Sequence, residues 1–245
     1  MNKIFDIGII GAMDPEVNEL ISRLENREDE KFGSISFYTG SIFGKQVVIA
    51  RCGIGKVFAA ICTEAMIVKY APRLVVNTGV GGAAAMGLSP LDVVIADKLC
   101  QHDMDTSAIG DPKGLVSGIN MIYFETDVRA REILTAAAEN MGVSHRLGTI
   151  ATGDKFVSSL EEKTRINTDF GAVACEMEGC SVAQTAFVNG TPFAVVRAIS
   201  DSADGSASME YSQFLPEAAR ISTALTLALV IFMSKKLINN VKEDE

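Results

Sequence analysis

The chain alternates short apolar runs with helix-like segments, and this alternation limits its fold more than any other feature. Residues 4–10, 74–77, 92–99 and 195–200 read as buried strands. Between them lie helix signals. Asp14 is placed to cap a helix over 14–24, with Pro15 at the first helical position and Glu16 in the first turn. Further helices are expected over 57–70, 127–141 and from the 176–178 segment to about 188, with a long one at the C-terminus. Residues 34–39 and 46–51 bracket Gly40 and Gly44 as a hairpin. The charged stretch 25–31 reads as a solvated helix end or loop. Residues 148–153 form a strand and turn leading through Asp154 to Phe156. Residues 101–120 are turn-rich, and a loop of that length is usually functional. Strands alternating with helices predict an α/β fold: a mostly parallel or mixed sheet with helices on both sides. No repeat, low-complexity segment or linker interrupts the 245 residues, so residues 1–245 are read as one domain.

Composition narrows the function. A net charge of -9 argues against a surface built to grip nucleic-acid phosphates, although a phosphate-free nucleoside stays admissible. The five cysteines are an odd number without zinc spacing, so they read as small buried hydrophobes in a reducing, cytoplasmic compartment. Only His102 and His145 are present, which disfavours a histidine-based metal site or triad. Asp6 interrupts the first apolar run, unlike a signal peptide. The apolar stretch 224–233 is about half the roughly 20 residues of a membrane-spanning helix, so it reads as a packed helix of a soluble protein.

The chemistry concentrates in carboxylates at the ends of α/β units. The run 195–200 stops abruptly at Ser200-Asp201, which places an acid at the mouth of a buried strand. Glu16 follows the first strand at the sheet edge where α/β folds bind ligands, though the helix dipole alone also explains an acid there. Glu176 and Glu178 share a side if their segment is extended and diverge if the helix has begun. Arg197 lies inside a buried strand, where an unpaired guanidinium is costly; Glu16 or Glu176 is its expected partner. The glycine turns at 11–13 and 79–82 let a ligand approach backbone N–H groups. The dinucleotide fingerprint is absent after the first strand, where the sequence is Gly8-Ile9-Ile10-Gly11.

These pieces assemble in order: Gly-Ala-Met-x-x-Glu at 11–16, Gly-Ile-Gly-Lys at 53–56, Asn-Thr-Gly at 77–79, Gly-Asp-x-Phe at 153–156, Glu-Met-Glu at 176–178 and Arg-Ala-Ile-Ser-Asp at 197–201. With them the chain resembles the 5'-methylthioadenosine/S-adenosylhomocysteine nucleosidases of the nucleoside phosphorylase/nucleosidase superfamily, from about Ile4 to Met233. The resemblance implies a three-layer α/β/α fold around a mixed, partly barrel-like sheet, a homodimer, and hydrolysis of an N-glycosidic bond without metal or organic cofactor. It implies Glu16 as base for the attacking water and Asp201, oriented by Ser200, as acid for adenine N7. Burial is expected to favour the protonated form of Asp201. Glu178 would bond the ribose hydroxyls and Met177 pack beneath the ribose. Phe156 would stack on adenine while the backbones of Val157 and Gly82 approach the base. Glu176 and Arg197 would complete the polar network. Ile54 and Tyr211 would line the 5'-thio pocket, with Ile109 entering from the partner subunit.

Related phosphorylases carry an arginine in the first βα loop to hold phosphate; here that loop ends in Glu16, which repels phosphate and suits water. Val80, the 82–86 segment, Ile109 and Tyr211 depart from the commoner family residues, which bears on the 5'-substituent rather than on the reaction type. Two alternatives remain open at this point: a nucleosidase for another purine nucleoside of the futalosine type, and a non-catalytic nucleoside-binding protein.

Overall fold

The structure is a computed structural model that describes residues 4–202 and 207–239. Its elements run β1 (Ile7–Gly11), α1 (Asp14–Ser22), β2 (Glu25–Phe32), β3 (Ile35–Ile42), β4 (Lys45–Arg51), α2 (Lys56–Tyr70), β5 (Val75–Ala83), β6 (Val93–Gln101), β7 (Phe124–Glu125), α3 (Val128–Asn140), β8 (His145–Thr152), α4 (Leu160–Phe170), β9 (Ala172–Glu176), α5 (Gly179–Val188), β10 (Phe193–Asp201) and α6 (Ala207–Asn239). A 3-10 turn, Ser107–Ile109, punctuates the long 101–120 segment.

The ten strands form one sheet in the order β10-β6-β8-β9-β5-β1-β4-β3-β2, with β7 on β6. β10 also pairs with β5, which closes β10, β6, β8, β9 and β5 into a barrel. Parallel ladders (β1 with β4 and β5, β10 with β5, β6 with β8) mix with antiparallel ones (β10 with β6, β5 with β9). Two apolar clusters separate the layers. One joins the sheet to α2 and α5 through Ala59, Cys62, Met66, Cys180, Val182 and Ala183. The other joins it to α1, α3 and α6 through Val17, Leu20, Ala130, Leu134, Leu225 and Val230. All five cysteines are free and buried, as expected of small core residues.

Several expectations need correction. Met13, not Asp14, occupies the N-cap of α1, because Glu16 reaches back to the backbone there. The charged stretch 25–31 is a strand rather than a loop. β2 is exposed at every residue and pairs with β3 alone, and charge is the usual dress of a sheet edge. The glycine run 79–82 does not end β5 as a turn. It lies inside the strand, which is buried along its whole length between its neighbours. Neither α4 nor β7 was anticipated.

Helix α6 also exceeds expectation. Its segment Tyr211–Met233, 23 residues, is long and apolar enough to cross a bilayer. It packs instead, burying Ala218, Ala219, Leu225 and Leu229 over β5 and β10. Polar pins set its register: the hydroxyls of Ser222 and Thr78 meet at 2.7 Å, the Gly79 N–H donates to Ser222 Oγ at 3.0 Å, and Thr226 Oγ1 donates to Thr78 Oγ1 at 2.9 Å. Leu225 is fully buried in this layer. Leu225→Ala is expected to lower unfolding free energy by about 2–5 kcal/mol, the usual cost of such a cavity. Urea denaturation checks it, and a loss of under about 1 kcal/mol would show that α6 does not carry the core.

Candidate active site

A cavity of about 420 Å³ opens where β1, β9 and β10 end. That position and volume suit a small organic ligand in an α/β fold. Glu16, Ile54, Gly82, Phe156, Val157, Glu176, Met177, Glu178, Ser200, Asp201 and Tyr211 all line it. Arg197 is absent from the lining and fully buried within β10. Ile109 lies apart, on the Ser107–Ile109 turn and 81% exposed, outside this chain's own cavity.

Glu16 arrives at the cavity through the start of α1. Its Oε2 accepts the N–H groups of Ala12 at 2.7 Å and Met13 at 2.9 Å, and its Oε1 accepts that of Val80 at 3.1 Å. Gly79 makes room for it, since a β-carbon there would stand 2.5 Å from Oε1. Burial pushes the Glu16 carboxyl above the usual range, against the pull of Arg197 and of those three N–H groups. A carboxylate so placed takes up a proton readily, which is what a base for water needs.

Glu176 and Glu178 diverge. Glu176 ends β9 and turns beneath the cavity. Its Oε2 accepts from Arg197 Nη2 at 2.5 Å and from the N–H groups of Glu178 at 2.9 Å and Gly179 at 2.7 Å, while Oε1 accepts from the Thr152 hydroxyl. Of the two partners expected for Arg197, Glu176 is the one bonded; Asn77 completes its coordination. Glu178 instead occupies the N-cap position of α5 and accepts the Gly55 N–H at 2.8 Å, so it faces the cavity from the glycine turn before α2. Burial first, and then the charge of Glu176, push the Glu178 carboxyl up to about 8, while Arg197 and the Gly55 N–H pull it down.

Asp201 ends β10, 1% exposed. Ser200 Oγ donates to its Oδ1 at 2.8 Å, and Gly82 leaves space for Oδ2, which would sit 2.7 Å from a β-carbon there. The expectation of burial alone around Asp201 is incomplete. Lys163 Nζ donates to Oδ2 at 2.7 Å, and both side chains are almost fully buried. Sequence reasoning missed Lys163 because it missed α4. The available signal was a lysine on the same stripe as Ile166 and Phe170, the buried apolar face of that helix.

The apolar wall comes from Phe156, Tyr211, Ile54 and Met177. The rings of Phe156 and Tyr211 meet edge-on, 5.3 Å between centroids at 76°, and the Tyr211 hydroxyl donates to Met13 Sδ at 3.4 Å. Phe156 is 44% exposed, free to offer a ring face to a flat base. Among the described residues no group of three His, Cys, Asp or Glu is placed to hold a metal ion.

A closed mixed sheet with a carboxylate-lined cavity at its strand ends suits acid–base chemistry on a small organic ligand, and comparison with known proteins narrows the class. The model of the phosphorylase superfamily matches residues 6–231. A 5'-methylthioadenosine/S-adenosylhomocysteine nucleosidase of Haemophilus influenzae (strain PittEE) is 41% identical over 225 residues, 91% of this chain and 98% of that protein. The crystal structure of the Neisseria meningitidis nucleosidase of the same name, in complex with methylthio-immucillin-A, superposes with a TM-score of 0.88 at 38% identity, covering 91% of this chain and 97% of that one. A futalosine hydrolase of Helicobacter pylori strain 26695 superposes at 0.87 with 34% identity, covering 93% and 97%. The chain belongs to the phosphorylase superfamily, and within it to the family of 5'-methylthioadenosine/S-adenosylhomocysteine nucleosidases.

The raised carboxyl of Glu178 has a consequence for stability. The folded protein holds this proton to about pH 8 and the unfolded chain releases it near 4.5, so the contribution is complete at low pH and is lost as pH rises through that window. Replacing Glu178 with Gln is expected to flatten the fall in thermal midpoint between about pH 5 and 8. An unchanged slope in a melting series across that range would contradict the assignment.

Proposed function

We propose that the protein hydrolyses the N-glycosidic bond of 5'-methylthioadenosine and S-adenosylhomocysteine, releasing adenine and the 5-thioribose product. The observation that carries this reading is Glu16. A buried carboxylate held by three backbone N–H groups occupies the cavity wall where a phosphate-binding cation would stand in a phosphorylase. Such a group repels phosphate and activates water.

The reaction divides between the two buried acids. Glu16 takes a proton from water as its oxygen bonds to C1'. Asp201, steadied by Ser200, protonates adenine N7, so the purine leaves neutral with the electron pair of the C1'–N9 bond. The ribose gains oxocarbenium character as that bond lengthens, as in other glycoside hydrolyses. Glu178 accepts the ribose hydroxyls, Met177 packs under the sugar and Phe156 stacks on the base. The backbones of Val157 and Gly82 approach the base. Ile54 and Tyr211 border the 5'-thio group. Glu176 and Arg197 act from beneath the cavity by holding Glu178 and the strand ends in place. No metal or organic cofactor enters this scheme.

In the same reading, one domain carries the activity in the cytoplasm as a homodimer. Val57, Phe58, Ile61 and Val68 on α2, with Phe187 and Val188 on α5, leave apolar side chains exposed, which favours a covered face. Ile109, exposed and away from its own cavity, then reaches the partner's site. A futalosine-type nucleoside is the second reading, favoured by the likeness to the Helicobacter pylori hydrolase. A binding protein without chemistry has no use for a water-activating base, and Glu16, Glu178 and Asp201 are all in place.

Asp201→Asn is expected to remain folded at reduced stability, since Lys163 loses its buried charged partner, and to lose turnover by about 10²-fold or more, as removal of a general acid does. Glu16→Gln is expected to bind nucleoside and hydrolyse it poorly. Initial rates of adenine release, with binding followed by calorimetry, check both. Parental turnover in either variant would remove the corresponding role.

A further inference from the structure

Lys163 stands out among the buried ionisable groups because nothing in the reaction outlined above uses it. It is carried by α4, whose start is capped by Ser159 accepting the Glu162 N–H at 3.2 Å. The helix is seated by Ile166 and Phe170 in a small cluster with Val157 and Cys175. Lys163 shares that buried face and is itself fully buried, yet it does not line the cavity. Its ammonium donates to Asp201 Oδ2 at 2.7 Å and to the carbonyl of Ser202 at 2.5 Å. It therefore grips the acid from behind and the backbone just beyond it.

We propose that Lys163 is a positioning residue for the acid, acting on the reaction through Asp201. This rests on the reading of Asp201 as the group that protonates N7. When Asp201 gives up its proton it becomes a carboxylate in a buried site, where an uncompensated charge is expensive. The ammonium already in contact stabilises that charge as it develops, with no reorganisation at the moment of reaction. Two contacts also fix the carboxyl's rotation: Ser200 holds Oδ1 and Lys163 holds Oδ2. Over one turnover the proton that Asp201 gives to N7 is replaced from solvent, and an equal one returns to solvent from Glu16 after the water has attacked.

The test uses the full-length protein with 5'-methylthioadenosine as probe, and four variants: K163Q, K163R, D201N and the double variant K163Q/D201N. K163Q is expected to lower kcat at least about tenfold while KM moves less than about threefold, the signature of an interaction made in the transition state. K163R, which keeps the cation, is expected to recover part of that loss. In the D201N background, K163Q is expected to add nothing, because its route to the reaction is already gone. Parental kcat in folded K163Q would overturn the proposal, and so would losses from K163Q and D201N that multiply. Should K163Q fail to fold, comparison of D201N with the double variant decides, since its two neutral amides can pair; a further drop in kcat in the double variant overturns the proposal. Parental turnover in D201N would instead overturn the acid assignment itself, a result distinct from a crippled D201N beside an unaffected K163Q.

Discussion

The guanidinium of Arg197 is the buried charge around which the site is organised. It sits in the middle of β10, 1% exposed, and binds Glu176 at the end of β9 and both oxygens of Asn77 in β5. Glu176 in turn takes the Thr152 hydroxyl from β8 and the first N–H groups of α5. One ion pair thus links four strands and a helix start beneath the cavity. Removing one partner of such a buried pair costs about 3–5 kcal/mol, because the other is left charged and alone. Its charge also reaches the two glutamates above it, opposing the effect of burial on Glu16 and on Glu178.

Barrel closure explains why these groups converge. β10 pairs in parallel with β5 along most of its length and antiparallel with β6, so the ends of β5, β9 and β10 come together at one rim. Close packing at that rim requires missing side chains. Gly79 yields space to Glu16 and Gly82 to Asp201, and an added β-carbon would meet a carboxylate oxygen at either position. Helix α6 supports the same strand from outside, through the hydroxyls of Ser222 and Thr226 on Thr78. The glycines, the buried hydroxyls and the carboxylates are therefore one arrangement.

Much of this was legible in the residues. A strand ending in Ser200-Asp201 marks an acid at a strand mouth, and the ordered motifs from Gly11 to Asp201 carry most of the rest of the cavity lining. What escaped depended on tertiary context. The 25–31 stretch is too charged to read as a strand until a neighbour at the sheet edge supplies the pairing. The glycines of 79–82 look like a turn until their neighbours show why side chains are excluded. Lys163 goes unremarked in the sequence, since only the folded position of α4 brings it to Asp201, 38 residues away. Ile109 has no place in its own cavity.

The central claim is that water, activated at Glu16, is the nucleophile. The most direct measurement is turnover of 5'-methylthioadenosine by the purified protein in oxygen-18 water, with and without phosphate, following adenine and the sugar product by mass spectrometry. The account predicts adenine release at the same rate in both conditions and oxygen-18 at C1 of the 5-thioribose. Release that depends on phosphate and yields a sugar 1-phosphate would contradict it.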